Sequence, residues 1–144
     1  MSDMSGLIIK LGPKERILIN GAVIENGDRR SRINILTANA NILRLKDAIH
    51  PKDAYTPVRR ACYLAQLILS GDVDQMSTWD RLSGQTQTLA SIFFDNKSAS
   101  TLDQIRISIS EKDAYSCLKL FRRLLPLEVQ LLREDPRWLS NQSY

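Results

Sequence analysis

The side chains best suited to do chemistry in this 144-residue chain are cations, and they crowd into its first third. Arg29, Arg30 and Arg32 cluster around one turn and one strand face, Lys10, Lys14 and Arg16 precede them, and Arg44 and Lys46 follow. Residues 1–52 carry nine Lys/Arg against five Asp/Glu, whereas residues 53–144 carry eleven of each, so the formal charge of +4 resides in the first segment. A guanidinium grips a phosphate through two parallel donors and lies flat on an unpaired base, while an ammonium supplies a point charge. A segment this lopsided calls for an anionic partner. Nucleic acid is favoured over a membrane surface, because no basic amphipathic helix can be traced there. These eight residues are the candidate RNA contacts. Aromatic platforms usually accompany arginine in single-strand binding. Residues 1–52 hold no Phe, Tyr or Trp, so recognition within them has to rest on arginine, backbone amides and strand edges.

Catalytic material is scarce. His50 is the single histidine, which leaves nothing for a triad or a histidine-based zinc site, and it precedes Pro51 where a structural role is expected. Cys62 and Cys117 are 55 positions apart without a ligand-spaced neighbour, and are expected to be buried thiols. Neither a Walker loop nor a dinucleotide-binding glycine motif occurs. Acidic pairs such as Asp72/Asp74 and Glu134/Asp135 fall at helix starts and ends, where such groups are usually solvated or related to the helix dipole. No enzymatic activity, metal or cofactor is expected. With 43% hydrophobic and 25% charged residues, no membrane-length apolar run and no secretory signal in residues 1–6, the chain is expected to be cytoplasmic.

These cations need a scaffold, and the sequence supplies short strands. Residues 7–11 are apolar and end at Gly12-Pro13. Residues 16–19 run into Asn20-Gly21 and on to Ala22-Val23-Ile24, the strongest local signal for a two-residue hairpin. A second turn at Asn26-Gly27-Asp28 leads to residues 30–36, where Arg30, Arg32 and Asn34 alternate with Ser31, Ile33 and Ile35. Residues 42–45, continued to Lys46, form a fifth strand. Five short strands in about forty residues imply a compact antiparallel sheet or small barrel. Thr56-Pro57 then opens a helix that ends at Ser70-Gly71. Asp72 is expected to start a second helix carrying Met76, Trp79 and Leu82, broken or bent at Ser83-Gly84. Residues 96–100 read as a loop with Thr101 capping the next helix. Ile105 to Ile109 alternates like a strand, but its setting favours a short helix. Tyr115, Leu118, Phe121 and Leu124-Leu125 form a helical stripe that Pro126 is expected to kink or restart. The fold class is therefore α+β: a basic β module over residues 1–50, a helical domain over residues 55–135 and a polar tail at 136–144.

The string Ile19-Asn20-Gly21-Ala22-Val23-Ile24-Glu25-Asn26-Gly27-Asp28-Arg29-Arg30 closely resembles the FlbT family of bacterial flagellin regulators. Ile42-Leu43-Arg44 with Lys46-Asp47, Thr56-Pro57-Val58-Arg59-Arg60, Asp113-Ala114-Tyr115, Leu118-Lys119, Arg122-Arg123-Leu124-Leu125-Pro126 and Glu128 look like it too, so the likeness spans nearly the whole chain. Leu45 stands where that family usually has an acidic residue. The resemblance implies post-transcriptional control through the 5′ untranslated region of flagellin mRNA, by repression of translation or promotion of decay, alongside a second small protein, FlaF, and flagellin. The first third alone is also similar to the carbon-storage regulator, an intertwined RNA-binding β dimer. That likeness implies a homodimer through the N-terminal strands. Aligned on Lys14-Glu15, Leu11 takes the place of that family's first-strand arginine, and Lys10, one position away, points to the opposite face. A non-RNA adaptor in flagellin synthesis or secretion is the competing expectation.

Overall fold

Asn20 and Gly21 sit at φ of 48° and 85°, the pair of positive values a tight two-residue hairpin requires, and they turn β2 (Arg16–Ile19) onto β3 (Ala22–Glu25). A computed structural model of the chain describes residues 6–38 and 40–135; the tail at 136–144 lies outside these. The remaining strands are β1 (Leu7–Leu11), β4 (Ser31–Ile35) and β5 (Ile42–Arg44). They make two small sheets, not one: the antiparallel pair β1–β4 and the three-stranded β3-β2-β5. β5 is shorter than expected. The chain leaves it at Leu45 for a 3-10 turn through Asp47, so Lys46 lies on that turn and not on the strand.

Register explains how the sheets meet. Leu7 pairs with Ile35 and Ile9 with Ile33, which places these side chains with Leu11 on one face. They pack against Ile17, Ile19 and Ile42 of the other sheet to form a small core. The reverse face of β2 and β5 carries Leu18 opposite Leu43, and both join the larger core of the helical part. The three-stranded sheet thus links the two halves.

Helices follow: α1 (Pro57–Ser70), α2 (Gln75–Ile92), α3 (Asn96–Ser110) and α4 (Ala114–Glu134). Each opens on an oxygen-bearing residue whose side chain accepts an N–H from three positions on: Thr56 from Arg59, Asp74 from Ser77, Asp95 from Ser98 and Asp113 from Ser116. α1 packs against α2 and α4, and α3 against α4. Gln66 ties the linker to α1 by accepting from the Ile49 amide at 2.7 Å and donating to the Ile49 carbonyl at 3.0 Å. His50 accepts from the Lys52 amide at 3.1 Å and caps a short turn.

Several local expectations yield to packing. α2 starts after Asp74, not at Asp72, so Met76 falls in the first turn and is 77% exposed while Trp79 and Leu82 are buried. Gly84 does not interrupt α2. A mid-helix glycine costs only about 1 kcal/mol, less than the anchoring of Leu82, Thr86 and Leu89 on either side. Residues 96–100 belong to α3, because Asp95, and not Thr101, is the cap. The alternating run Ile105 to Ile109 is helical, as its setting favoured, but as part of the 15-residue α3 and not a short helix; it buries Ile105 and Ser108. α4 passes through Pro126 as one helix, held by buried Phe121 and Leu124 before the proline and Glu128 after it.

Candidate nucleic-acid interface

Strand register gathers part of the basic set. On β1 and β4, Lys10 stands directly opposite Arg32, and Ile8 opposite Asn34, on the exposed face. Two like charges at a cross-strand position oppose pairing by a fraction of a kcal/mol, a cost that an anion laid across them would remove. Lys10, Arg30, Arg32 and Lys46 line an open cleft of about 580 Å³, together with Gly12, Ser31 and Glu15. Lys10, Arg30 and Arg32 have no acidic side chain within ion-pair distance among the described residues.

Arg44 and Lys46 are anchored from below. Glu15 is 8% exposed and receives them at 3.5 Å (Arg44 Nε) and 3.8 Å (Lys46 Nζ) through the same oxygen, Oε2, which makes no hydrogen bond. Its other oxygen accepts from the Gly12 amide at 2.9 Å. The Arg44 guanidinium also donates to the Lys10 carbonyl, clasping β5 to β1. The cleft therefore sets four cations, Lys10, Arg30, Arg32 and Lys46, against one carboxylate, Glu15, which also holds Arg44.

The other three candidates lie elsewhere. Lys14 pairs with Asp28 at 3.0 Å and Arg16 with Glu25 at 2.9 Å, both at the surface. Arg16 and Glu25 are register partners across the hairpin, and that guanidinium, through its hydrogen bond and charge, holds the Glu25 carboxyl below its ordinary range. Arg29 is exposed on the turn and does not line the cleft. Two residues that sequence reasoning passed over shape the site. Asn26 donates to the Gly12 carbonyl at 2.7 Å and the Arg29 carbonyl at 2.9 Å, and accepts from the Ser31 hydroxyl at 2.7 Å. It thereby fixes the loop bearing Arg29 and Arg30 against β1. Its place in Asn-Gly-Asp marked a turn but not this bracing role. For Glu15, no local signal distinguished a buried anchor from a surface acid.

Reactive groups are subdued. Burial pushes the thiols of Cys62 and Cys117 up to about 12, which keeps them protonated and poorly nucleophilic. Among the described residues no cluster of His, Cys, Asp and Glu could hold a metal ion, and no helix is long and apolar enough to cross a membrane.

Comparison with known proteins agrees with the sequence resemblance. The profile of the family described as "Flagellar protein FlbT" matches residues 7–132. A protein of Allorhizobium ampelinum called "Probable flagellum biosynthesis repressor protein FlbT" is 33% identical over 131 residues, covering 91% of this chain and 87% of its own. A Mesorhizobium japonicum protein of the same name is 32% identical, over 88% of this chain and 84% of its own. The "Flagellum biosynthesis repressor protein FlbT" of Caulobacter vibrioides is 25% identical, over 88% and 89%. No solved structure matches the chain. The matched segment takes in all five strands and nearly all of the helical part, so this chain belongs to the FlbT family of flagellar proteins.

Proposed function

We propose that this protein is a cytoplasmic post-transcriptional repressor of flagellum biogenesis. It binds the 5′ untranslated region of flagellin mRNA and blocks translation or promotes decay, as a binding protein and not as an enzyme. The carrying observation is the cleft over β1, β4 and the turn after β5, where Lys10, Arg30 and Arg32 stand without acidic partners among the described residues. The relatives' name, flagellum biosynthesis repressor, supports the direction of control. Fluorescence anisotropy with labelled flagellin leader RNA tests the reading. Arg30→Ala with Arg32→Ala is expected to weaken binding at least tenfold while leaving the unfolding midpoint in place. For single-stranded RNA, log K is expected to fall with log salt by about 0.7 for each phosphate engaged.

A protein-binding adaptor for flagellin or FlaF is the second reading. Its support is the β3 edge, where Val23 is 61% and Ile24 42% exposed. Pull-down that resists high salt, with no RNA affinity, is its expected outcome.

A further inference from the structure

We propose that the RNA path continues from the sheet cleft onto helix α4, where Lys119 and Arg123 hold phosphate and the ring of Tyr115 stacks on a base. The inference rests on the RNA-binding reading above and extends it to a surface outside the basic first third.

Arg44 joins the two places. On one side its guanidinium donates to the Lys10 carbonyl at the wall of the sheet cleft. On the other it lines a second groove, of about 200 Å³, together with Tyr115, Lys119 and Arg123. The turn after β5 makes a second bridge: Lys46 borders the first cleft, and the next residue, Asp47, receives Arg122 of α4 at 3.2 Å. That ion pair fixes α4 beside the sheet. It also leaves Lys119 and Arg123 as cations without an acidic partner among the described residues. Formal charge cancels over residues 53–144, but folding gathers these cations locally, while the nearest downstream acid on α4, Glu128, is buried away from the groove.

Tyr115 supplies what residues 1–52 lack. It is half-buried and packs against both hydrophobic cores, so its ring is held firmly at the joint between sheet and helices. The Lys119 ammonium lies 5.6 Å from the ring centroid. At an exposed site such a contact is weak, so the flexible lysine can swing to a phosphate while a base takes its place over the ring. An unpaired strand offers both groups at once, phosphate along its backbone and π faces on its bases. Double-stranded RNA presents no free base to the tyrosine, so the partner is single-stranded.

The test uses the full chain and labelled flagellin leader RNA. Lys119→Ala with Arg123→Ala is expected to weaken binding at least fivefold and lower the salt slope by about 1.4, the share of two phosphates on a single strand. Tyr115→Leu is expected to weaken binding roughly tenfold, and Tyr115→Phe, which keeps the ring, to bind like the wild type with an unchanged unfolding midpoint. Photocrosslinking from 4-thiouridine-substituted RNA into the peptide holding Tyr115 gives a readout independent of affinity. If Arg30→Ala with Arg32→Ala weakens binding while the α4 double variant keeps wild-type affinity and slope, the path ends at the sheet and this inference alone falls. If the α4 double variant keeps RNA but loses capture of FlaF or flagellin, the surface belongs to a protein and the inference also falls. A wild type without RNA affinity overturns this inference and the proposed function together.

Discussion

Gly21 shows how a single residue carries the hairpin on which the sheet depends. Its φ of 85° is left-handed, and a Cβ added there would meet nothing within 4 Å. The requirement is thus conformational and not steric. Gly21→Val forces a β-branched residue into that region and is expected to destabilise the protein by more than about 1 kcal/mol, read as a lower urea midpoint; an unchanged midpoint would count against it. The arginines differ in kind from one another although the sequence presents them alike. Arg16 is spent on Glu25 and Arg44 on Glu15, whereas Arg30 and Arg32 remain available, which is why those two are the pair to remove. Asn26 belongs at this scale as well, since three of its contacts brace the loop that presents Arg30.

At the scale of elements, α1 and α4 are joined by a buried carboxyl. Glu128 accepts the Thr56 hydroxyl and, at 2.7 Å, the Val58 amide, so one α4 side chain satisfies the start of α1. Burial raises its pKa from the ordinary value of 4.5, against the lowering effect of those two hydrogen bonds. Between 4.5 and the raised value the folded chain holds a proton that the unfolded chain has released. Stability from this group is therefore greatest below 4.5 and declines as pH rises through the folded value. Glu128→Gln keeps an acceptor for the Val58 amide and is expected to flatten that decline, as measured by unfolding midpoints between pH 4 and 8; an equal slope in wild type and variant would contradict this. α2 offers a second test. Gly84 is exposed inside the helix, and a Cβ there meets nothing within 4 Å. Gly84→Ala is expected to stabilise by roughly 0.5–1 kcal/mol, raising the melting temperature by a few degrees for a chain of this size.

For the whole molecule, β1 pairs with β4 and β2 with β5 inside one chain, so strand exchange is not needed to complete those ladders. Both sheets still end on edge strands, and the edge of β3 carries exposed Val23 and Ile24. An unpaired edge bearing apolar side chains is a template for another strand, and a second copy presents the same edge in a self-complementary way. A homodimer through the N-terminal strands is accordingly expected. Light scattering at micromolar concentration should give the mass of two chains, and Val23→Lys should return it to one. A single-chain mass for the wild type would reject the dimer.

Much of this protein was legible before folding because the signals are local. Asn20-Gly21 determines its own turn, Thr56-Pro57 its own helix start, and Gly71, at φ 80°, its own helix stop. Alternation on β4 set Arg32 opposite in facing to Ile33 and Ile35, as burial shows. The family likewise stands in short strings of residues. Where sequence misled, local propensity competed with distant packing: Gly84 does not break α2, Asp95 and not Thr101 caps α3, and α4 runs on through Pro126 without a restart, all in helices anchored in a common core. Charge was legible as an excess in the first third, but not as pairs. Which cations face an acid depends on strand register and on the approach of α4 to the turn after β5. These contacts span 34 residues between Lys10 and Arg44 and bring Arg122 to Asp47. Composition cannot encode such distances; closing the chain into its tertiary fold does, and it makes a cleft from residues that are scattered along the sequence.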